Sequence, residues 1–481
     1  MHKENRARLV ERFRKDAMVP PKAVLVLQGG DSEERHDSDH ELIFRQESSF
    51  HYLLGVKEPD CFASIDVRSG ETTLYVPRLK AEYAIWMGTI QPPSWFAMLY
   101  GVEHVLYADE LEANLTKMAP NILYTLHGMN TDSGSYARPA SFPGIEKFRV
   151  DNGKLYRELV DCRVIKTPKE IELMRYVNDA SSQAHLEVMR RARAGMKEFQ
   201  LEALFRYWTY YHYGCRNLAY TAICGCGPTS AVLHYGHAGA PNSNTVPLGG
   251  MCLLDMGAEY HCYASDITCS FPASGKFTDD QRFVYETVLE AQERVMKAMK
   301  PGVSMVAMHT LSYRVILERF IAREILHGNI EEMLQKDINI GSYLMPHGLG
   351  HLIGIDTHDV GGIPWDTPRP TEPGYKSLRC LKNLEENMVI TVEPGCYFID
   401  HLMDQLKTDP KLSKYVNAQA LDHFRGFGGV RLEDCILITK TGIENFTSCP
   451  RTVEEVEGVM SGKITERSQL KRAYYREVSK M

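Results

Sequence analysis

Apolar positions in the first third of the chain come in short runs, Ala23-Val-Leu-Val-Leu27, Phe62-Ala-Ser-Ile-Asp-Val67 and Thr72-Thr-Leu-Tyr-Val76, with helix-like stretches between them. Strands alternating with helices predict an α/β domain over residues 1–160. The pattern changes at Thr167-Pro-Lys-Glu170, where Thr can cap a helix, Pro suits its first position and Glu completes a capping box. Ile171, Met174, Val177, Ser181, Ala184 and Val188 then form one helical stripe that runs to Gly195. A second domain over residues 161–481 follows, with the seam just before Thr167.

Thr278-Asp-Asp-Gln281 repeats the start signal and opens a stripe of Phe283, Val284, Val288, Ala291, Val295 and Met299, ended by Pro301-Gly302. Both helices end in similar wording, Ala-Arg-Ala-Gly195-Met against Met299-Lys-Pro-Gly-Val, and each leads into further helix. The strands beyond them also rhyme: Cys252-Leu-Leu-Asp255-Met-Gly and Val389-Ile-Thr-Val-Glu393-Pro-Gly. This predicts an internal duplication, two α–α–β halves meeting over a common site.

Carboxylates sit on those rhyming strands. If Tyr260 and His261 form a hairpin turn, Asp255 and Asp266 oppose each other directly, with Cβ atoms roughly 4.5–5.5 Å apart on one face. Two such carboxylates repel unless a cation or a shared proton lies between them. The alternative is a solvated hairpin with two surface acids. Glu393 projects from the end of the run Met388–Val392, and in Val430–Thr439 a period of two puts Arg431 and Glu433 on one face and Asp434 on the other. His351 closes the glycine-rich Pro346-His-Gly-Leu-Gly-His351. Four acids and one imidazole make an oxygen-rich set suited to two divalent ions, Mn²⁺ or a similar cation, rather than to thiolate zinc.

Composition excludes several other classes. A chain of 481 residues, 44% hydrophobic, buries a substantial core, and its net charge of −7 lacks the basic excess of a nucleic-acid binder. No apolar run is long enough for a membrane span or a secretory signal. Twelve scattered cysteines then read as free thiols of a cytoplasmic protein, and Cys224-Gly-Cys226 lacks the second pair that a structural zinc needs. The acceptor patterns at Asn114 and Asn445 carry no weight without secretion. No His-Glu-x-x-His, Gly-x-Ser-x-Gly or phosphate-loop motif is present.

The strings Leu233-His-Tyr-Gly-His-Ala-Gly-Ala-Pro241, Asp255-x10-Asp266, His347-Gly-Leu-Gly-His351, Thr391-Val-Glu-Pro-Gly395 and Gly428-Gly-Val-Arg-Leu-Glu433 resemble those of the prolidases, the Xaa-Pro dipeptidases of the pita-bread metallopeptidase family. The similarity runs through nearly the whole chain, including Phe44-Arg-Gln-Glu-Ser48, Ser265–Pro272 and Arg425–Gly429. It implies an α+β pita-bread catalytic domain of the creatinase/aminopeptidase-like kind, with internal pseudo-twofold duplication, behind the α/β domain. It also implies that Asp255 and Asp266 bind one ion, Asp266 and Glu433 bridge, and His351 with Glu393 complete the second. Such a pair, about 3.5–4 Å apart, generates hydroxide from a bridging water and polarises the scissile carbonyl.

By the same resemblance Glu393 carries the proton, while His234, His347 and His358 stabilise the tetrahedral intermediate and orient substrate. Arg379 receives the free carboxylate of a C-terminal proline or hydroxyproline. Tyr220 and Trp86 complete the substrate contacts, Trp86 as a lid that reaches the partner's site in a homodimer. The residues alone leave other readings open. His347 could cap its own loop, His358 could lie on the surface, His237 competes with His234, Arg379 could be a solvated charge, Arg431 could assist or merely hold the acids, and Trp86 could pack within its own domain. Two departures stand out: Cys396 follows Glu-Pro-Gly where an aliphatic residue is usual, and Leu432 replaces Ile. An aminopeptidase P type of specificity is the near alternative, and a non-catalytic pita-bread binding module the distant one, though none of the five ligands is broken.

Overall fold

The computed structural model describes residues 1–236 and 238–470. The chain divides at Arg163/Val164 into two compact units. In the first, strands β1 (Ala23–Gln28), β2 (Phe62–Asp66), β3 (Thr72–Val76), β4 (His104–Tyr107), β5 (Ile122–Tyr124) and β6 (Val150–Asp151) form one sheet in the order β4-β3-β2-β1-β5-β6. The β1–β2 and β2–β3 pairs are antiparallel and the rest parallel, a mixed α/β sheet. Its three central strands are the apolar runs of the sequence. Val24, Val26, Tyr75 and Leu123 pack with Leu111 and Leu115 of the helix Leu111–Met118.

In the second unit Thr167 caps the helix Pro168–Arg191: its Oγ1 accepts from Glu170 N, and Glu170 Oε2 accepts from Thr167 N at 2.8 Å. Every residue of the anticipated stripe is buried, so the period of 3.6 marks the core face. Thr278 and Gln281 cap Asp279–Ala298 in the same way, and its apolar stripe is buried too. Each of these helices is followed by a partner, Glu198–Tyr213 and Met305–Ala322.

Strands β7 (Asn217–Leu218), β8 (Ile223–Cys226), β9 (Met251–Asp255), β10 (Ala258–Tyr260), β11 (Tyr263–Ala264) and β12 (Thr268–Pro272) belong to the first half. β13 (Val389–Val392), β14 (Gly395–Tyr397), β15 (Gly429–Arg431), β16 (Asp434–Ile438) and β17 (Ile443–Asn445) belong to the second. Sheets β8-β9-β12 and β13-β16-β17 correspond, as do β7-β10-β11 and β14-β15, so each half is a helix pair with strands broken at the same place. Those breaks fall beside the acids: Asp255 ends β9, Asp266 lies between β11 and β12, Glu393 follows β13 and Glu433 precedes β16.

Two expectations are corrected here. The hairpin turns at His261-Cys262, whose φ angles of 47° and 64° are both left-handed, as in a type I′ turn. Tyr260 therefore pairs with Tyr263, and Asp255 opposes Thr268 rather than Asp266. The partner shifts by two residues, an even step, so Asp266 keeps the face it shares with Asp255 but sits diagonally to it. Neither Tyr-His nor His-Cys is a preferred turn dipeptide, which is why local chemistry misplaced the turn. The second correction concerns Val430–Thr439, which is not one strand but β15 and β16 in different sheets. At the break Leu432 N donates to Pro394 O at 3.3 Å and Glu433 N to Thr268 O at 3.1 Å, which diverts the backbone from a continuous ladder.

Candidate metal centre

His351 and Glu393 are placed by one stretch of backbone pairing. Thr391 N donates to His351 O at 2.9 Å and Glu393 N to Leu349 O at 2.8 Å, so the histidine loop lies along β13. The approach is close enough to require glycine: a Cβ on Gly350 would stand 2.0 Å from the Thr391 carbonyl oxygen. His351 Nδ1 donates to Leu352 O at 3.0 Å, which directs the Nε2 lone pair at the acids. Nε2 lies 3.3 Å from Asp266 Oδ2, 3.7 Å from Glu393 Oε1 and 3.9 Å from Glu433 Oε1.

Asp266, His351 and Glu433, all buried, offer ligand atoms within 4.8 Å of one another. Glu393 adjoins this triad through His351. Asp255 is held differently: Tyr220 Oη donates to its Oδ1 at 2.5 Å and Arg431 Nη2 to its Oδ2 at 2.7 Å. Arg431 thus grips an acid of the cluster.

The electrostatics ask for a cation. Burial, and then the charges of Asp266 and Glu393, hold the Glu433 carboxyl well above the usual range. Burial pushes Glu393 up to about 7 and raises Asp255, with Asp266 adding to both. Asp266 goes the other way, because hydrogen bonding and the charge of His351 outweigh its burial. Several carboxylates packed this tightly cannot all ionise unless positive charge is supplied. Hard oxygens with one imidazole fit a divalent ion, and Asp266, His351, Glu433 and Glu393 could hold it.

The remaining candidates are partly gathered here. His347 Nδ1 donates to Gly348 O at 2.8 Å, and Nε2 lies 2.8 Å from Tyr397 Oη, which in turn accepts from Arg431 Nη1 at 2.9 Å. Burial, and then Arg431, push His347 down to about 3. The His358 ring meets His351 edge-on, with centroids 4.5 Å apart, and is also lowered to about 3, first by burial and then by the charges of His351 and Arg379. Arg379 therefore lies close to His358. His234 is exposed and lies near enough to both His347 and His358 to add to the lowering of each. His237 lies outside the described residues. Trp86, in the first unit, is 83% exposed on a short helix, Tyr83–Met87, that buries nothing, so it does not pack within its own unit.

Four residues missed in the sequence complete the surroundings. Thr268 Oγ1 donates to Glu433 Oε2 at 2.8 Å, and Thr391 Oγ1 accepts from His351 N at 3.0 Å. Tyr397 links Arg431 to His347, and Arg451 donates to the Glu433 carbonyl. Thr391 lies inside the Thr-Val-Glu-Pro-Gly string and Thr268 inside Ser265–Pro272, so both could have been noticed; Tyr397 and Arg451 carry no local signal.

The chain's similarities agree with this chemistry. Residues 172–440 match Metallopeptidase family M24, and residues 2–124 match the aminopeptidase P N-terminal domain. The chain is 53% identical to a Homo sapiens Xaa-Pro dipeptidase over 95% of this chain and 92% of the relative. It is 36% identical to a Verticillium alfalfae probable Xaa-Pro aminopeptidase over 90% of this chain and 91% of that protein. Among solved structures, zinc-substituted E. coli aminopeptidase P in complex with product superposes with a TM-score of 0.77 at 26% identity, covering 96% of this chain and 99% of that one. This pita-bread chain belongs to metallopeptidase family M24 and is a metal-dependent hydrolase.

Proposed function

We propose that this enzyme hydrolyses Xaa-Pro dipeptides with proline or hydroxyproline at the C-terminal position. The observation that carries the reading is the buried meeting of Asp266, His351 and Glu433, with Glu393 beside them; the 53% identity to an Xaa-Pro dipeptidase along nearly the whole chain supports the substrate. Two divalent ions, which we assign as Mn²⁺, would bind among Asp255, Asp266, His351, Glu393 and Glu433 and supply a bridging hydroxide nucleophile and a polarised carbonyl at neutral pH.

The chain's own groups do the rest. Glu393, with its Oε1 3.7 Å from His351 Nε2 at the edge of the cluster, is placed to carry a proton from nucleophile to leaving nitrogen. His358, kept neutral by burial, can donate a hydrogen bond to the developing oxyanion without bringing a charge that would repel the cations, while neutral His347, its one N–H committed to Gly348 O, accepts from Tyr397 Oη and holds that hydroxyl in place for orienting substrate. His234 and Tyr220 orient substrate, Arg379 pairs with its free carboxylate, and Arg431 holds Asp255 in place.

We assign the protein as a cytoplasmic homodimer in which each Trp86 caps the site of the other subunit. The exposure of Trp86 beside Ile85 and Met87 supports the lid, and twelve free cysteines support a reducing compartment. Among the described residues no helix is long and apolar enough to cross a membrane.

A second reading, aminopeptidase P activity on longer Xaa-Pro peptides, is favoured by the structural likeness to that enzyme. Hydrolysis of Gly-Pro compared with Gly-Pro-Ala by the Mn²⁺-loaded protein decides between them. Gly-Pro cleaved at least tenfold faster upholds the dipeptidase; cleavage of the tripeptide alone transfers the assignment to aminopeptidase P.

A further inference from the structure

The two halves of the catalytic unit do not share a continuous sheet: β12 and β16 belong to separate three-stranded sheets, and the acids Asp266 and Glu433 lie on opposite sides of that seam. One backbone bond, Glu433 N to Thr268 O at 3.1 Å, crosses the seam, and side chains supply the rest. Cys435 Sγ meets Asp266 N at 3.3 Å and Asp266 O at 3.1 Å, and Ser270 Oγ both donates to Arg431 O at 2.9 Å and accepts from Arg431 N at 3.2 Å. The one charged group that spans the seam backbone to backbone is Arg451, fully buried among the described residues. Its Nη1 donates to Thr268 O at 2.9 Å and its Nη2 to Glu433 O at 2.7 Å. Asp434 fixes the guanidinium by accepting from Nε at 3.0 Å and Nη2 at 2.5 Å, and Asn445 Nδ2 holds the other Asp434 oxygen at 2.6 Å.

We infer that Arg451, oriented by Asp434 and Asn445, is a positioning residue that sets the separation of Asp266 and Glu433 and hence the second metal position. The inference rests on the two-ion reading proposed above. Three features carry it. The guanidinium is a rigid planar fork, so the two carbonyls it grips cannot drift apart independently. Thr268 is gripped by its carbonyl while its hydroxyl holds Glu433 Oε2, so backbone and carboxylate of the bridging acid are fixed through the same residue. A burial this deep with every donor directed at the seam is costly unless the geometry it maintains is needed.

Lysine at this position keeps the charge beside Asp434 but, as a point donor on a flexible stem, cannot hold both carbonyls in one plane. The experiment is Mn²⁺ titration by calorimetry and electron paramagnetic resonance of metal-depleted full-length wild type, Arg451→Lys and Asn445→Ala, with thermal unfolding and Gly-Pro kinetics alongside. Wild type is expected to bind two ions with a spin-coupled signal. Arg451→Lys is expected to keep the first ion, weaken the second at least tenfold, lose the coupled signal, and lose kcat with KM little changed. Asn445→Ala, which leaves the ion pair in place, is expected to move the same way by a smaller factor and serves if Arg451→Lys does not fold. A folded variant with a lowered Tm but a wild-type isotherm and coupled signal overturns the positioning role. Wild type that binds a single ion overturns the two-ion reading instead; the positioning role then stands or falls on whether Arg451→Lys weakens that one ion.

Discussion

Asp255 is gripped by Arg431: Nη2 donates to Oδ2 at 2.7 Å, while Tyr220 occupies the other oxygen at 2.5 Å. Both partners of the ion pair are buried, so removing one strands the other. Arg431→Met is expected to destabilise the metal-depleted protein by about 3–5 kcal/mol in urea unfolding. Arg431→Lys should fall between, because a single ammonium cannot serve Asp255, Tyr397 and Thr268 together. Unchanged stability in the Met variant would mean that Asp255 does not depend on this contact.

Chelation should abolish hydrolysis and Mn²⁺ should restore it. Because the cation relieves repulsion among buried acids, saturation at about 100 times the dissociation constant should also raise unfolding free energy by about 2.7 kcal/mol per ion. Calorimetric unfolding with and without metal measures this. Full turnover in protein shown to be metal-free by elemental analysis contradicts the proposed chemistry.

Arg379 should make the enzyme prefer a free carboxylate. Gly-Pro should exceed its C-terminal amide in kcat/KM by the loss of one charged hydrogen-bonded pair, about 1.5–3 kcal/mol. Equal rates for acid and amide remove Arg379 from substrate binding.

His309 gives a pH dependence away from the metal ligands. Its ring is buried edge-on against Tyr313 and Tyr375, and burial pushes it from the ordinary 6.5 down to about 3. The unfolded chain therefore binds a proton below pH 6.5 that the folded one refuses, so stability is full above 6.5 and declines as pH falls toward 3. At pH 5 the decline from this group is about 2 kcal/mol. His309→Phe should flatten the stability profile between pH 6.5 and 5 while leaving pH 8 stability similar; an equally steep profile in the variant contradicts the assignment.

Trp86 tests the shared site. Mixed dimers of Trp86→Ala chains with chains inactivated at Asp266 contain active sites whose lid comes from the intact Trp86 of the inactive chain. Normal Gly-Pro kinetics per active site are expected. Kinetics matching the Trp86→Ala homodimer, or a monomer in sedimentation, exclude a lid acting between subunits.

Much of this protein was determined by its sequence alone, wherever the signal was local. The capping boxes at Thr167 and Thr278, the apolar stripes behind them and the strands β1 to β3 follow from spacing and side-chain type over a few residues, and the structure places them as read. The repeated wording around Asp255 and Glu393 marked the duplication, and the chemical type of His351 and the four acids pointed to a hard-cation site, of which the structure gathers Asp266, His351 and Glu433. What only the tertiary structure decided is registration. The turn at His261-Cys262 carries no preferred dipeptide, so the pairing of Asp255 with Thr268 comes from packing of the whole hairpin. The break at Leu432-Glu433 arises where two sheets meet, although the local alternation is that of an unbroken strand. Arg451 lies 183 residues from the Thr268 carbonyl it holds, and nothing adjacent to it in sequence marks it out. Local patterns record which face of an element is buried; the distance between two acids on different sheets is set by the long-range contacts that bring those sheets together.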